Sequence, residues 1–118
     1  MNKVTRRAGY AMLHHKKYSS GNTRVVKVEE GEAGTIFELR LFGKLIARYY
    51  PSLSKLWISD AGWKTRTTKE RLNGILDTFG INARIYQEKF TWFITIEGEK
   101  FEYDGWQEFE TNLGKRMN

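Results

Sequence analysis

The alternation of apolar and polar residues predicts β-strands over most of the chain. Between residues 35 and 42, every second residue from Phe37 to Leu41 is apolar, which is the period of two expected of a half-buried strand. The other predicted strands are residues 24–29, 45–50, 55–59, 82–87, 90–96 and 100–103. The connections between neighbouring strands are too short for parallel crossovers, so the pattern predicts an antiparallel meander.

One segment has the period of a helix. Its apolar residues are Leu72, Ile75, Leu76 and Phe79. They are spaced as the single stripe of an amphipathic helix, which predicts a helix over residues 68–79. Thr67 and Glu70 fit a capping box at its start. Gly80 suits the left-handed position that follows a helix end.

Together these elements predict an α+β fold: an antiparallel β meander of four strands, one packed helix and three further strands. The strands form either one twisted sheet or a sheet that is split into two. A length of 118 residues suits one domain, which we place at residues 24–106. Residues 1–23 show no sustained period and are predicted to form a flexible basic arm. Residues 107–118 are predicted to form a polar C-terminal tail, with Trp106 and Phe109 as candidate anchors for part of it.

The net charge of +6 is unevenly distributed along the chain. Residues 1–27 contain seven Lys and Arg residues and no Asp or Glu, whereas residues 91–118 contain six acidic residues and three basic ones. A basic segment of this kind attracts polyanions. The alternative is that the basic and acidic ends attract each other or serve solubility.

A second group of cations lies around the start of the predicted helix. Residues 63–71 contain one Trp, four cations and three Thr. A helix N-terminus offers free N–H groups and a positive dipole end, which suit a phosphate, and Trp63 either stacks on a base or packs in the core. The candidate nucleic-acid-binding residues are Arg6, Arg7, Lys16, Lys17, Arg24, Trp63, Lys64, Arg66, Lys69 and Arg71.

Aromatic residues on the predicted strands are a third feature. They are Tyr49, Tyr50, Trp57, Tyr86 and Trp92. One helix cannot cover both faces of seven strands, so we expect some rings to face outward. Outward rings would serve as a stacking platform for single strands or as anchors for a protein partner. If the sheet closes into a partial barrel, the rings are buried instead.

Several classes of function find no support in the sequence. The chain has no Cys, which excludes disulfides, thiolate metal sites and a cysteine nucleophile. His14 and His15 are adjacent and point in different directions, so we expect no metal site. Phosphate-binding glycine loops, zinc motifs and nucleophile elbows are absent, and we expect neither catalysis nor a cofactor. The sequence contains no apolar run of about 18 residues, so it predicts no membrane-spanning helix.

Three short segments carry a resemblance to a known group of proteins. They are residues 41–47 (LFGKLIA), 60–63 (DAGW) and 67–73 (TTKERLN), followed by a second block at residues 85–93. In this layout the chain resembles small proteins of tailed bacteriophages. The resemblance implies a phage origin and a shared core, but no activity, and it does not include the basic segment before Asn22.

The sequence as a whole therefore predicts a small non-enzymatic phage accessory protein in the host cytoplasm. We expect it to bind nucleic acid electrostatically through the basic arm and the helix N-terminus. The alternative is a protein-interaction factor that binds a host enzyme or defence complex and modulates or inhibits it.

Overall fold

A computed structural model describes residues 1–111, in which two α-helices and nine β-strands form. The helices are α1 (Lys3–Leu13) and α2 (Arg66–Thr78). The strands are β1 (Tyr18–Ser20), β2 (Thr23–Glu30), β3 (Gly34–Leu41), β4 (Lys44–Tyr50), β5 (Lys55–Ser59), β6 (Ala83–Glu88), β7 (Thr91–Ile96), β8 (Glu99–Glu102) and β9 (Trp106–Glu110). Short 3-10 turns follow β2 and β4.

The strands form two antiparallel sheets. Sheet A has six strands in the order β1-β2-β3-β4-β5-β9, and sheet B has three in the order β6-β7-β8. The α+β class and all seven predicted strands are confirmed. The predicted order of four strands, one helix and three strands is incomplete, because the residues described also include α1, β1 and β9. The strands divide between two sheets, which is one of the two arrangements left open by the sequence.

The N-terminal segment is folded. Asn2 caps α1 by accepting a hydrogen bond from the Thr5 amide at 2.9 Å. The buried face of the helix consists of Thr5, Ala8, Gly9, Ala11 and Met12. Four of these five side chains are small, so they bury a helix face without a marked apolar stripe in the sequence. The prediction of a flexible arm over residues 1–23 is therefore wrong.

Helix α1 packs closely against α2 because two glycines lie in the contact. A Cβ atom at Gly9 would lie 2.5 Å from Thr78 Oγ1, and one at Gly74 would overlap the Thr5 methyl group. The contact therefore needs residues without side chains. The predicted apolar stripe of α2 is fully buried, in one cluster with residues of α1 and both sheets.

The start of α2 differs from the prediction. The helix begins at Arg66, two residues earlier than expected, because Thr65 is the N-cap and its Oγ1 accepts a hydrogen bond from the Thr68 amide at 3.1 Å. The predicted capping box of Thr67 and Glu70 is wrong. The Glu70 carboxylate instead accepts a hydrogen bond from the Thr5 hydroxyl of α1.

The end of α2 matches the prediction. Gly80 has a φ of 67°. The Ile81 amide donates to the Leu76 carbonyl at 3.0 Å, and the Gly80 amide donates to the Asp77 carbonyl at the same distance. These two hydrogen bonds form a Schellman motif.

The C-terminal segment begins as a strand. Residues Trp106–Glu110 form β9, which pairs with β5 so that Phe109 lies opposite Leu56. The polar tail predicted from residue 107 is wrong for this strand, because alternate side chains of β9 are half-buried against the core side of sheet A. Residues 112–118 lie outside the part of the chain that the structure describes.

Candidate nucleic-acid interface

A groove between α1 and β1 brings four of the predicted cations together. It has a volume of about 440 Å³. Its lining residues are Arg6, Arg7, Tyr10, Ala11, Lys16, Lys17 and Tyr18. Helix α1 supplies Arg6 and Arg7, and the turn after α1 supplies Lys16 and Lys17, so one short reversal of the chain forms both walls. We call this feature the basic groove.

The turn after α1 positions the two lysines. His15 has a left-handed φ of 60°, and the Lys16 amide donates to the Ala11 carbonyl at 2.7 Å, which completes a Schellman-type helix end. The His15 ring stacks on Phe37 with centroids 5.3 Å apart and lies 5.9 Å from the Tyr49 ring. His15 therefore fixes the reversal that returns the chain along α1.

The cations of the basic groove have no acidic partners in the described chain. Arg6, Arg7, Lys16 and Lys17 are all exposed. Within residues 1–111, none of them forms an ion pair within 4.0 Å; the ion pairs there belong to other cations. Their positive charges therefore face solvent without internal neutralisation, a condition that favours an anionic ligand.

Two tyrosines of the basic groove were missed by the sequence reasoning. Tyr10 is 54% exposed on α1, and its ring contacts the His14 ring with centroids 4.1 Å apart. Tyr18 on β1 is half-buried and packs against the core. The spacing of Tyr10 from Arg6 and Arg7 would have placed the three on one helix face, but only if α1 had been predicted.

Arg24 does not line the basic groove. It is exposed on β2 between two buried residues, Thr23 and Val25. Because side chains alternate along a strand, Arg24 lies on the face of sheet A opposite to the core. Its cross-strand neighbour on β3 is another cation, Arg40.

The cations before and within the first turns of α2 are less available to an anionic ligand than those of the basic groove. Lys64 Nζ donates to Asp60 Oδ2 at 2.6 Å, and Asp60 is only 3% exposed. The other carboxylate oxygen of Asp60 accepts from the Gly62 amide at 2.7 Å. Since Asp60 is a buried carboxylate, Lys64 mainly neutralises a charge of the protein itself.

Arg71 is a structural residue. It is 5% exposed, and its guanidinium donates to Thr23 Oγ1 at 3.1 Å, to Thr5 Oγ1 at 2.7 Å and to Glu70 Oε1 at 2.5 Å. These hydrogen bonds join α1, β2 and α2. The placement contradicts the assignment of Arg71 to a nucleic-acid-binding surface, because a buried guanidinium whose Nε and Nη1 bond to the protein itself is not presented to a ligand.

Arg66 and Lys69 line a separate depression of about 270 Å³ together with Arg84. Glu70 and Asp77 also line it, so its charge is mixed. Opposite charges at the same surface reduce the net attraction for a phosphate. The structure therefore does not bring the cations at the start of α2 into the basic groove.

Trp63 lies on the surface, next to a further cation. The residue is 49% exposed, so the core alternative for Trp63 is wrong. Lys44 Nζ lies 4.2 Å from the centroid of the Trp63 ring, a cation–π contact. Trp63 is a neighbour of the N-cap of α2 but is not a residue of the basic groove.

The aromatic residues predicted on strands do not form an open platform. Tyr49 and Trp92 are buried, whereas Tyr50, Trp57 and Tyr86 are half-buried.

Large exposed rings occur elsewhere, and two of them, Phe101 (46% exposed) and Trp106 (57% exposed), line a cleft of about 570 Å³. The other lining residues are Ile94, Ile96, Glu102, Tyr103, Asp104 and Gln107. We call this feature the inter-sheet cleft, because it lies between sheet B and β9.

Tyr103 is the buried polar residue of the inter-sheet cleft. Its hydroxyl has no hydrogen-bond partner among residues 1–111. Burial, and to a smaller extent the negative charge of Asp60, raise the pKa of this hydroxyl above its ordinary value. Tyr103 therefore stays neutral at physiological pH.

Within residues 1–111, no group of three or more His, Cys, Asp or Glu residues is arranged to hold a metal ion. Neither helix of this part of the chain is long and apolar enough to cross a membrane.

Comparison with known proteins identifies a family. No curated protein and no solved structure matches the chain. The family model of the Kyanoviridae Gp96 protein matches residues 1–117, which include the basic groove as well as the segments that carry the resemblance to phage proteins. That resemblance is confirmed. The chain therefore belongs to the Kyanoviridae Gp96 protein family, a family of cyanophage proteins.

Proposed function

We propose that this phage accessory protein binds nucleic acid through the basic groove. The proposal rests on one observation: four exposed cations converge on a single groove, and none of them has an acidic partner within residues 1–111. A polyanion gains the full attraction of such cations, and its binding releases condensed counterions.

The proposed binding has little sequence preference. The exposed face of α1 carries Lys3, Arg6 and Arg7, side chains that suit phosphates along a backbone. Helix α2 commits one face to the core. Neither helix presents a row of base-reading side chains such as Asn and Gln. The protein would therefore act by occupying nucleic acid in the host cytoplasm, without catalysis of its own.

Fluorescence anisotropy with labelled oligonucleotides at low salt tests this proposal. The variant Arg6→Ala/Arg7→Ala/Lys16→Ala/Lys17→Ala should bind at least about 100-fold more weakly, since each exposed charge pair contributes about 1 kcal/mol. The matched control removes the same charge elsewhere, with Lys27→Ala/Lys55→Ala/Lys89→Ala/Lys100→Ala, and should lose less than about tenfold. Circular dichroism of each variant verifies its folding.

Three results separate the possibilities. Loss in the groove variant alone supports the proposal. Equal losses in both variants would assign the attraction to net charge and not to the basic groove. If the wild-type protein binds no oligonucleotide at low salt, the proposal is wrong.

A second candidate function is binding of a host protein through the inter-sheet cleft. Phe101 and Trp106 expose large rings there, and aromatic residues dominate the binding energy of many protein interfaces. Glu102 and Asp104 line the same cleft, which favours a partner segment rich in Lys or Arg. Such a protein would modulate or inhibit a host enzyme or defence complex.

Capture from host lysate, with and without nuclease, tests the second candidate. A stoichiometric protein partner that survives nuclease treatment and is lost with Phe101→Ala/Trp106→Ala would support it. The groove variant serves as the control and should retain that partner. A partner that is lost on nuclease treatment would be held through nucleic acid, which would favour nucleic-acid binding over the second candidate.

A further inference from the structure

We infer that the basic groove takes single-stranded nucleic acid and that a base stacks on Tyr10. This inference rests on the function proposed above and specifies the form of its ligand. It goes beyond charge, because it assigns a role to the aromatic residues that lie between the cations.

The Tyr10 ring is placed for stacking. More than half of the residue is exposed, at 54%, although it lies in the last turn of a helix and not in a loop. Its contact with the His14 ring, at 4.1 Å between centroids, supports the ring on α1. A supported and exposed ring loses little conformational entropy on binding, and every base has a π face to offer it.

The cations line the same groove as this ring. Arg6 and Arg7 precede Tyr10 by four and three residues, so their side chains emerge on the same face of α1, one turn away. Lys16 and Lys17 line the groove from the turn after α1. Phosphates on either side of one stacked base would therefore each find a positive side chain.

The rest of the lining also favours a base. Ala11 and Tyr18 supply apolar surface between the charged side chains, and the groove volume of about 440 Å³ lies in the range of pockets that hold small organic ligands. A duplex would leave this surface unused, because its bases are stacked inside and only phosphates, sugars and base edges are presented. A single strand can turn a base onto the ring while its backbone contacts the cations.

Anisotropy with labelled oligothymidine and a labelled duplex, at one low salt concentration, tests the inference. Wild-type protein should bind the single strand at least about tenfold more tightly than the duplex, which corresponds to one stacked base. Tyr10→Ala should weaken single-strand binding about tenfold and leave duplex binding within about twofold. An oligouridine probe distinguishes RNA from DNA as the source of the strand.

Two controls isolate the ring. Tyr10→Phe keeps the aromatic face and should bind the single strand like wild type. Phe90→Ala removes a ring that is 93% exposed but lies outside the groove, and should change neither probe. Unfolding curves of the variants exclude a general loss of structure.

The outcomes distinguish this inference from the function on which it rests. If Tyr10→Ala binds the single strand as tightly as wild type, or if the duplex binds equally well, the inference is wrong while phosphate binding by the groove stands. If wild-type protein binds none of the probes, both fail. Loss in Tyr10→Ala, rescued by Tyr10→Phe and confined to single strands, supports it.

Discussion

The basic groove and the start of α2 contain the same number of predicted cations, four in each, but the fold uses them differently. In the basic groove, Arg6, Arg7, Lys16 and Lys17 face solvent without acidic partners among the residues described. At the start of α2, Lys64 neutralises the buried Asp60, and Arg71 is itself buried.

The difference shows that cation density in a sequence does not measure the charge offered to a ligand. The decisive partners of Arg71 are Thr5 and Thr23, which lie 66 and 48 residues away in the chain. Only the tertiary structure brings these hydroxyls to the guanidinium. At the start of α2, Arg71 joins the helix to α1 and β2 and Lys64 neutralises Asp60. The cations of the groove make no such contacts in the described chain.

Deletion of residues 1–20 should give the largest effect, because these residues form part of the core and not a removable arm. Met12 and Ala8 are fully buried, and the deletion would uncover the face of α2 that contacts α1. We expect a loss of at least about 5 kcal/mol, which is comparable with the whole stability of a small domain. Urea or thermal unfolding measures it.

A milder variant controls for the deletion. Met12→Ala should lower the free energy of unfolding by about 2–5 kcal/mol. A truncated protein that is as stable as the full chain would show that α1 does not contribute to the fold. The basic groove would then not be part of the folded domain, which would contradict the comparison of the two regions.

Replacement of Arg71 should affect stability but not binding. Arg71→Met leaves Glu70 without its guanidinium partner and two threonine hydroxyls without their donor, which should cost about 3 kcal/mol. Arg66→Met, at an exposed position five residues earlier, should change the stability by less than about 0.5 kcal/mol. Chemical unfolding compares the two variants.

Binding by the folded Arg71→Met protein provides the second readout. Below its unfolding transition, the variant should bind oligonucleotides like wild type, because the guanidinium is 5% exposed. If the folded variant binds oligonucleotides more weakly than wild type, Arg71 contacts the nucleic acid, and its purely structural role is contradicted.

The predictable parts of the fold were those whose patterns are local. Helix α2 combines large apolar residues at helical spacing with Gly80 at its end, and the strands alternate large apolar side chains with polar ones. Helix α1 was missed because Ala8, Gly9 and Ala11 bury a face without large side chains. Strand β9 was missed because its residues are mostly polar. It forms through hydrogen-bonded pairing with β5, which the local sequence does not indicate.

The candidate site was predictable in composition but not in arrangement. The basic N-terminal residues stand out in the sequence, and four of them do converge. Their convergence depends on the left-handed turn at His15, which rests on Phe37 and Tyr49, residues of β3 and β4. Tyr10 lies on the same face of α1 as Arg6 and Arg7, so its spacing could assign it to the site only once α1 was predicted.

The central claim is that the groove cations, and not those at the start of α2, contact phosphates. The salt dependence of the affinity for duplex DNA tests it most directly, since each phosphate contact adds about 0.9 to the steepness of log affinity against log salt. Four contacts predict a slope of about −3.6 for the wild type, and Lys16→Ala/Lys17→Ala should reduce its steepness by about 1.8. Arg66→Ala/Lys69→Ala should leave the slope within about 0.5 of wild type. The opposite ranking, with the larger change in Arg66→Ala/Lys69→Ala, would contradict the account.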